Sequence, residues 1–192
     1  MTEAKLILAS ASPRRRELLA ECRCAFTVQS ADVNEDVLSG ELPADYVGRV
    51  AGDKARCIQR QFPAHFVLGC DTAVVLDQRI LGKPVDDHQA AVMLQALSGR
   101  SHQVFSALVL ICPDGLTLSA VSVTEVVFAP LPKAWIERYV ASGQGRDKAG
   151  AYGIQNEAGL WISRIEGSYS GVVGLPLFET ADLLRRAGLI SP

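Results

Sequence analysis

Ser10-Ala11-Ser12-Pro13-Arg14-Arg15-Arg16 joins an apolar run, Leu6-Ile7-Leu8-Ala9, to Glu17-Leu18-Leu19-Ala20-Glu21. The run reads as a strand and the second segment as a helix. Ser12 stands where an N-cap belongs. Pro13 suits the first helical position, which needs no N–H. A strand, a tight turn and a helix start in succession point to an α/β fold. The free N–H groups and partial positive charge of such a helix end attract anions. Arginines in a first turn oppose the helix dipole by about 0.3–1 kcal/mol each. Three of them imply an anion in front of them, and the planar guanidinium fork suits phosphate.

Downstream, Phe26-Thr27-Val28-Gln29 reads as a second short strand, followed by an acidic loop with Asp32, Glu35 and Asp36. Asp36 reads as a solvated loop residue. Asp32 or Glu35 offers a carboxylate to a hard cation. A helix is expected from about Pro43 to Gln61, with Val47, Val50, Ala51, Ala55 and Ile58 at helical spacing. Lys54 falls on that apolar stripe, where an unpartnered lysine is rare. It either snorkels to the edge or points into a cleft toward an anion.

Phe66-Val67-Leu68-Gly69-Cys70-Asp71-Thr72 reads as a buried strand ending in a carboxylate. In open α/β sheets, ligands sit at the carboxyl ends of strands. Ala73 to Leu76, a turn at Asp77-Gln78, and Arg79-Ile80-Leu81 make a hairpin followed by Lys83, which is expected to come close to Asp71. Asp86-Asp87 caps a helix ending at Gly99, and Pro113-Asp114-Gly115 joins two long strands that read as scaffold. A helix from Pro132 ends at Gly143, and the glycine-rich stretch to Gln155 follows. Gln155 carries an amide that can read a base edge. Leu160 to Ile165 reads as a strand, and a final amphipathic helix carries Leu177, Ala181 and Leu184.

These mixed elements predict an α/β fold with a mixed sheet, as one domain over residues 1–192 with two lobes and a cleft between them. At 48% hydrophobic and 21% charged, the composition is that of a globular protein. The net charge of −2 gives no global field for nucleic acid or an anionic membrane, so neither is an expected partner. No run is long enough to span a bilayer, and the N-terminus lacks a signal-peptide core, so a cytoplasmic location is the expectation. The five cysteines read as reduced, mostly buried thiols, and the three histidines have no ligand spacing. Neither G-x-G-x-x-G nor the Walker phosphate loop occurs. From the residues alone, the chemistry is metal-assisted hydrolysis of a phosphate ester or phosphoanhydride.

Several segments resemble the Maf family of nucleoside triphosphate pyrophosphatases. They are Leu8-Ala9-Ser10-Ala11-Ser12-Pro13-Arg14-Arg15, Asp71-Thr72-Ala73-Val74-Val75, Ile80-Leu81-Gly82-Lys83-Pro84, Leu97-Ser98-Gly99, Asp147 through Gln155, and Val172-Val173-Gly174-Leu175-Pro176-Leu177. The resemblance runs from about residue 6 to residue 186. It implies a fold similar to that of the inosine-triphosphate pyrophosphatases, a long mixed β-sheet flanked by helices with a central cleft. It also implies cleavage of a nucleotide's α–β phosphoanhydride with a divalent cation such as Mg, Mn or Co. Asp71 matches the family's catalytic acid, and Ser10, Arg15, Lys54 and Lys83 match its phosphate-side positions. Glu35, with Asp71, matches the acidic positions near the metal. Arg14, Thr72 and Gln155 match the positions marking the subgroup that prefers dTTP and UTP. The sister subgroup prefers 7-methyl-GTP and carries Asp-Gln where this chain has Asp71-Thr72. A non-catalytic nucleotide sensor acting on cell division is the more distant alternative, and a homodimer stays among the expected assemblies. Three departures stand out: Gly143-Gln144-Gly145-Arg146 in place of Glu-Pro, Asn34 in place of Asp, and Ser170-Gly171 in place of bulkier residues.

Overall fold

The computed structural model describes residues 6–191; the ends of the expected 1–192 domain lie outside the described residues. In chain order the strands are β1 (Leu6–Leu8), β2 (Phe26–Val28), β3 (Phe66–Leu76), β4 (Arg79–Leu81), β5 (Ser101–Ile111), β6 (Thr117–Phe128) and β7 (Ile162–Glu166). The helices are α1 (Pro13–Ala20), α2 (Pro43–Gln59), α3 (Asp87–Leu97), α4 (Lys133–Ala141), α5 (Tyr169–Val173) and α6 (Leu177–Arg186). All seven strands form one mixed sheet in the order β2-β1-β3-β5-β6-β7, with β4 paired to β3. β1 is parallel to β2 and β3, and the remaining pairs are antiparallel. The expected long mixed sheet flanked by helices is therefore present.

Strand alternation decides what each face of β3 meets. Val67 and Ala73 point to one face, where Ile7, Val109 and the α2 stripe of Val47, Val50, Ala51, Ala55 and Ile58 form a core. Leu68 and Cys70 point to the other, against Leu6, Leu8, Leu108 and, from α6, Leu183 and Leu184. A further core lies toward α3 and α4, where Val74, Leu94, Leu97, Val104, Phe128, Trp135 and Tyr139 pack together. Gly69 lets α2 lie directly on the sheet: a Cβ there would stand 2.1 Å from the Ala51 carbonyl oxygen.

β3 does not end at Asp71 as the sequence predicts; it continues unbroken to Leu76, because Asp71 to Val75 keep pairing with β5. The opening lies on its other edge. β1 pairs only with Phe66 to Leu68 and β4 only with Val74 to Leu76, so residues 69–73 have no strand beside them there. The rule of ligands at carboxyl ends holds for the short parallel strand β1, whose departing chain opens that edge.

Two smaller expectations also need correcting. Cys70 and Cys112 are buried, but Cys22, Cys24 and Cys57 are only half-buried; all five are free thiols. Ser12 occupies the N-cap position of α1, yet its side chain makes no capping hydrogen bond. Its own N–H donates to Ser10 Oγ at 3.2 Å instead.

His102 of β5 is buried beside Phe128 and Tyr152, with Nε2 2.7 Å from the Tyr152 hydroxyl. Burial pulls its pKa down from the ordinary 6.5 to about 4. The folded protein thus keeps His102 neutral while the unfolded chain takes up a proton below pH 6.5. Stability is expected to fall as pH drops from 6.5 to 4, by on the order of 3 kcal/mol from this group. Urea unfolding of the parent and of His102→Gln across that window checks it. The parent should lose more stability than the variant, and parallel curves would refute the assignment.

Candidate active site

The gap along β3 opens into a cleft of about 580 Å³, within the range of about 300–1,000 Å³ usual for small-molecule sites. Its walls come from the β1–α1 turn, the acidic loop, α2, the β3–β4 hairpin, the loop around residues 147–156, and the end of α5. Ser10, Arg14, Arg15, Glu35, Lys54, Asp71, Thr72, Lys83 and Gln155 all line it. Of the candidate residues named from the sequence, Asp32 and Arg16 lie off this cavity. Asp36, read as a solvated loop residue, borders it.

Lys54 is the centre of the acidic side. It is 7% exposed, and its Nζ stands 2.8 Å from Asp71 Oδ1 and 2.7 Å from Glu35 Oε1. Of the two alternatives left open by the sequence, it takes the cleft, but its partners are carboxylates. Asp71 shares its face of β3 with Gly69 and Ala73, which turns it toward α2, while α2 delivers Lys54 one residue before Ala55 of its packing stripe. Burial alone would raise the Glu35 carboxyl. The Lys54 hydrogen bond and charge, helped by Lys83 and Arg15 farther off, outweigh it and hold the carboxyl below its usual range. The Tyr46 hydroxyl donates to the Glu35 carbonyl at 3.0 Å and pins the acidic loop; nothing in the sequence singles it out. Asn34 Oδ1 accepts the Asp36 N–H at 2.7 Å, a turn that an aspartate would make equally well.

The arginines separate into three roles. Arg16 is exposed and outside the cleft. Arg14 faces the cleft and reaches Asp147 at 3.7 Å. Arg15 is turned inward: Nε donates to the Gly174 carbonyl at 2.9 Å, Nη1 to the Cys70 carbonyl at 3.0 Å and to Ser10 Oγ at 3.4 Å, and Nη2 to Thr72 Oγ1 at 3.2 Å. Arg15 thus spends most of its donors on the protein, which the first-turn position did not reveal. Ser10 is 6% exposed; its oxygen accepts from the Ser12 N–H and from Arg15, and among the described residues its hydroxyl proton has no acceptor.

Lys83 does not pair with Asp71. The register Val74↔Leu81, extended by two residues, sets Lys83 across from Thr72. Among the described residues it enters no ion pair, so its charge faces the cleft. The 147–156 loop is more ordered than its glycines suggest. Lys148 Nζ donates to the Gln144 carbonyl at 2.7 Å and to Asp147 at 2.6 Å. The Gly150 N–H donates to the Gly82 carbonyl at 3.1 Å. Gly150 has φ +66°, and a Cβ on it would meet Val74 at 2.9 Å, so the loop lies against β3 only with glycine there. Gln155 is exposed at the cleft mouth. None of residues 143–146 lines the cleft: Arg146 turns away to grip Asp87 with bonds of 2.9 and 2.8 Å, while the Gln144 carbonyl holds Lys148 of the cleft wall.

A buried carboxylate beside a lysine, in one cleft with an uncapped helix start, Arg14 and Lys83, can accept a proton from water next to a bound polyphosphate. The Maf-like protein family model matches residues 5–187. Curated relatives named dTTP/UTP pyrophosphatase include one from Anaeromyxobacter dehalogenans, 51% identical over 98% of this chain and 96% of its own length. Another, from Bordetella avium, is 52% identical over 98% of each chain. Among solved structures, a HAM1 protein from Coxiella burnetii has a similar fold, with a TM-score of 0.55 at 20% identity over 96% of this chain and all of that one. No helix among the described residues is long and apolar enough to cross a membrane.

Proposed function

The chain belongs to the Maf-like protein family, and from that premise we propose that it is a nucleoside triphosphate pyrophosphatase acting on dTTP and UTP. The observation that carries the reading is the buried Asp71–Lys54–Glu35 group lying in the same cleft as the α1 N-terminus, Arg14 and Lys83. The relatives' shared name supplies the substrate class. The chain works here as one domain whose two lobes flank the β3 gap, and the cytoplasm is the compartment the reading expects.

The first-turn N–H groups of α1, the Ser10 hydroxyl, Arg14 and Lys83 hold the phosphate oxygens. Arg15 adds its charge and a remaining Nη2 N–H. Lys54 holds Asp71 and Glu35 side by side. Asp71 takes a proton from water as the water oxygen bonds to the α-phosphorus. The bond from that phosphorus to the bridging oxygen breaks, and pyrophosphate leaves with the electron pair. Gln155 offers one donor and one acceptor to a pyrimidine edge.

The donor set fits a divalent metal. Asp71 and Glu35 each offer Lys54 one oxygen, and neither second oxygen has a hydrogen-bond partner among the described residues. No group of three or more ligating side chains forms there among the described residues. A hard cation held by one or two carboxylates and completed by phosphate oxygens matches that supply. When bound, it would neutralise charge on the phosphates.

Product analysis tests the proposal. Purified protein with a divalent cation should convert UTP and dTTP to the monophosphate and pyrophosphate in equal amounts, faster than it converts 7-methyl-GTP. Release of orthophosphate, or faster turnover of the methylated purine, would contradict it.

A further inference from the structure

Thr72 lines the cleft, but its hydroxyl is already engaged. The register of β3 with β5 sets Thr72 directly opposite Ser106, and their side chains share a face. The two hydroxyl oxygens stand 3.0 Å apart. Ser106 Oγ donates to the Gly171 carbonyl at 2.7 Å, which uses its only proton. Thr72 must therefore be the donor toward Ser106, and it accepts Arg15 Nη2 at 3.2 Å. Arg15 in turn donates to the Gly174 carbonyl at 2.9 Å. Two carbonyls of the α5 segment, Gly171 and Gly174, are thereby tied through two hydroxyls and a guanidinium to β3, β5 and α1. Ser106 is 1% exposed and does not line the cleft.

We propose that Ser106 is a positioning residue that sets nucleotide selectivity through Thr72. The hydroxyl pair fixes which way Thr72 turns and where the Val172–Gly174 wall stands. On this account, Thr72 discriminates by its orientation and by the wall it anchors, its proton being committed away from the substrate. Removing the Ser106 hydroxyl leaves the Gly171 carbonyl without that donor. It also frees the Thr72 proton to turn toward the Gly174 carbonyl, 3.4 Å away.

The inference rests on the pyrophosphatase reading for its substrates but not for its wiring. The experiment compares parent, Ser106→Ala, Thr72→Val, the double variant and Thr72→Ser. It reads kcat and KM on UTP, dTTP and 7-methyl-GTP, and thermal unfolding. Ser106→Ala should lower the preference for UTP over 7-methyl-GTP about fivefold, the worth of one hydrogen bond. The change should appear mainly in KM and in the same direction as for Thr72→Val. The double variant should be no worse than Thr72→Val, and Thr72→Ser should keep the parent's preference. The melting-temperature losses of the two single variants should not add. If Thr72→Val shifts the preference while Ser106→Ala leaves it in place, Thr72 acts on the nucleotide directly and the proposal is overturned. Additive melting losses overturn it as well, whatever the protein hydrolyses. A parent inactive on every triphosphate would sink the pyrophosphatase reading and this selectivity role together, whereas an active parent with an unaltered Ser106→Ala variant sinks only this inference.

Discussion

Asp71→Asn is expected to lower turnover of UTP and dTTP by about 10²–10⁴-fold, the usual size of a positioned general-base contribution. The amide keeps the shape and the approach to Lys54 but cannot take a proton from water. Folding should be little affected. Lys54 would still face Glu35 at 2.7 Å, so the substitution does not leave a buried ammonium unpaired, the case that costs several kcal/mol. Nucleotide binding should also survive, because Arg14, Lys83 and the α1 N-terminus are unchanged. Steady-state rates with purified parent and variant, alongside thermal unfolding and nucleotide binding, separate these effects. A variant that hydrolyses UTP at the parent's rate would remove Asp71 from the chemistry. A large loss of stability would instead mean that the carboxylate mainly balances Lys54.

What the sequence made legible is local. Leu6 to Glu21 reads as strand, turn and helix start because its punctuation lies within a few residues. The α2 stripe reads because its period of 3.6 repeats over several turns. Lys54 stood out because a lysine on that stripe needs a partner. Which partner it has depends on the alternation of β3 and on the acidic loop reaching across the cleft, and neither is encoded near residue 54. The gap around Asp71 was misread as a strand end for the same reason: it arises where β1 and β4 stop pairing with β3, tens of residues from each other in sequence. Arg15 looked like a phosphate ligand because its first-turn position is visible, whereas its acceptor at Gly174 lies 159 residues away. α5 spans five residues, too few to show a period, so no helix was legible where Gly171 and Gly174 sit.

Gly69→Ala is expected to destabilise the protein strongly, by driving α2 off β3. Its backbone lies outside the left-handed region, so the cost is steric. The added Cβ would stand 2.1 Å from the Ala51 carbonyl oxygen, 2.8 Å from the Ala55 nitrogen and 2.9 Å from the Ala55 Cβ. Two of these three atoms belong to the α2 backbone, which cannot rotate aside as a flexible side chain does. Relief requires the helix to lift from β3, with loss of packing around Val47, Val50, Ala51 and Ala55. Overpacking usually costs about 1–3 kcal/mol, and a clash with backbone belongs at or above the top of that range. For a domain of this size, about 3 kcal/mol corresponds to a melting temperature lower by roughly 6–12 °C. Activity should fall too, even well below the melting point, because Lys54 precedes Ala55 on the displaced turn and would be drawn from Asp71. Gly48→Ala is the control: it lies on the same helix with nothing within 4 Å of its Cβ position. Replacing this half-buried helical glycine, whose Cβ position is open, should stabilise by about 0.5–1 kcal/mol. Thermal unfolding and turnover of both variants check the pair. If Gly69→Ala melted with the parent and kept its rate, α2 would not rest on β3 as closely as described, and the placement of Lys54 against Asp71 would lose its structural cause.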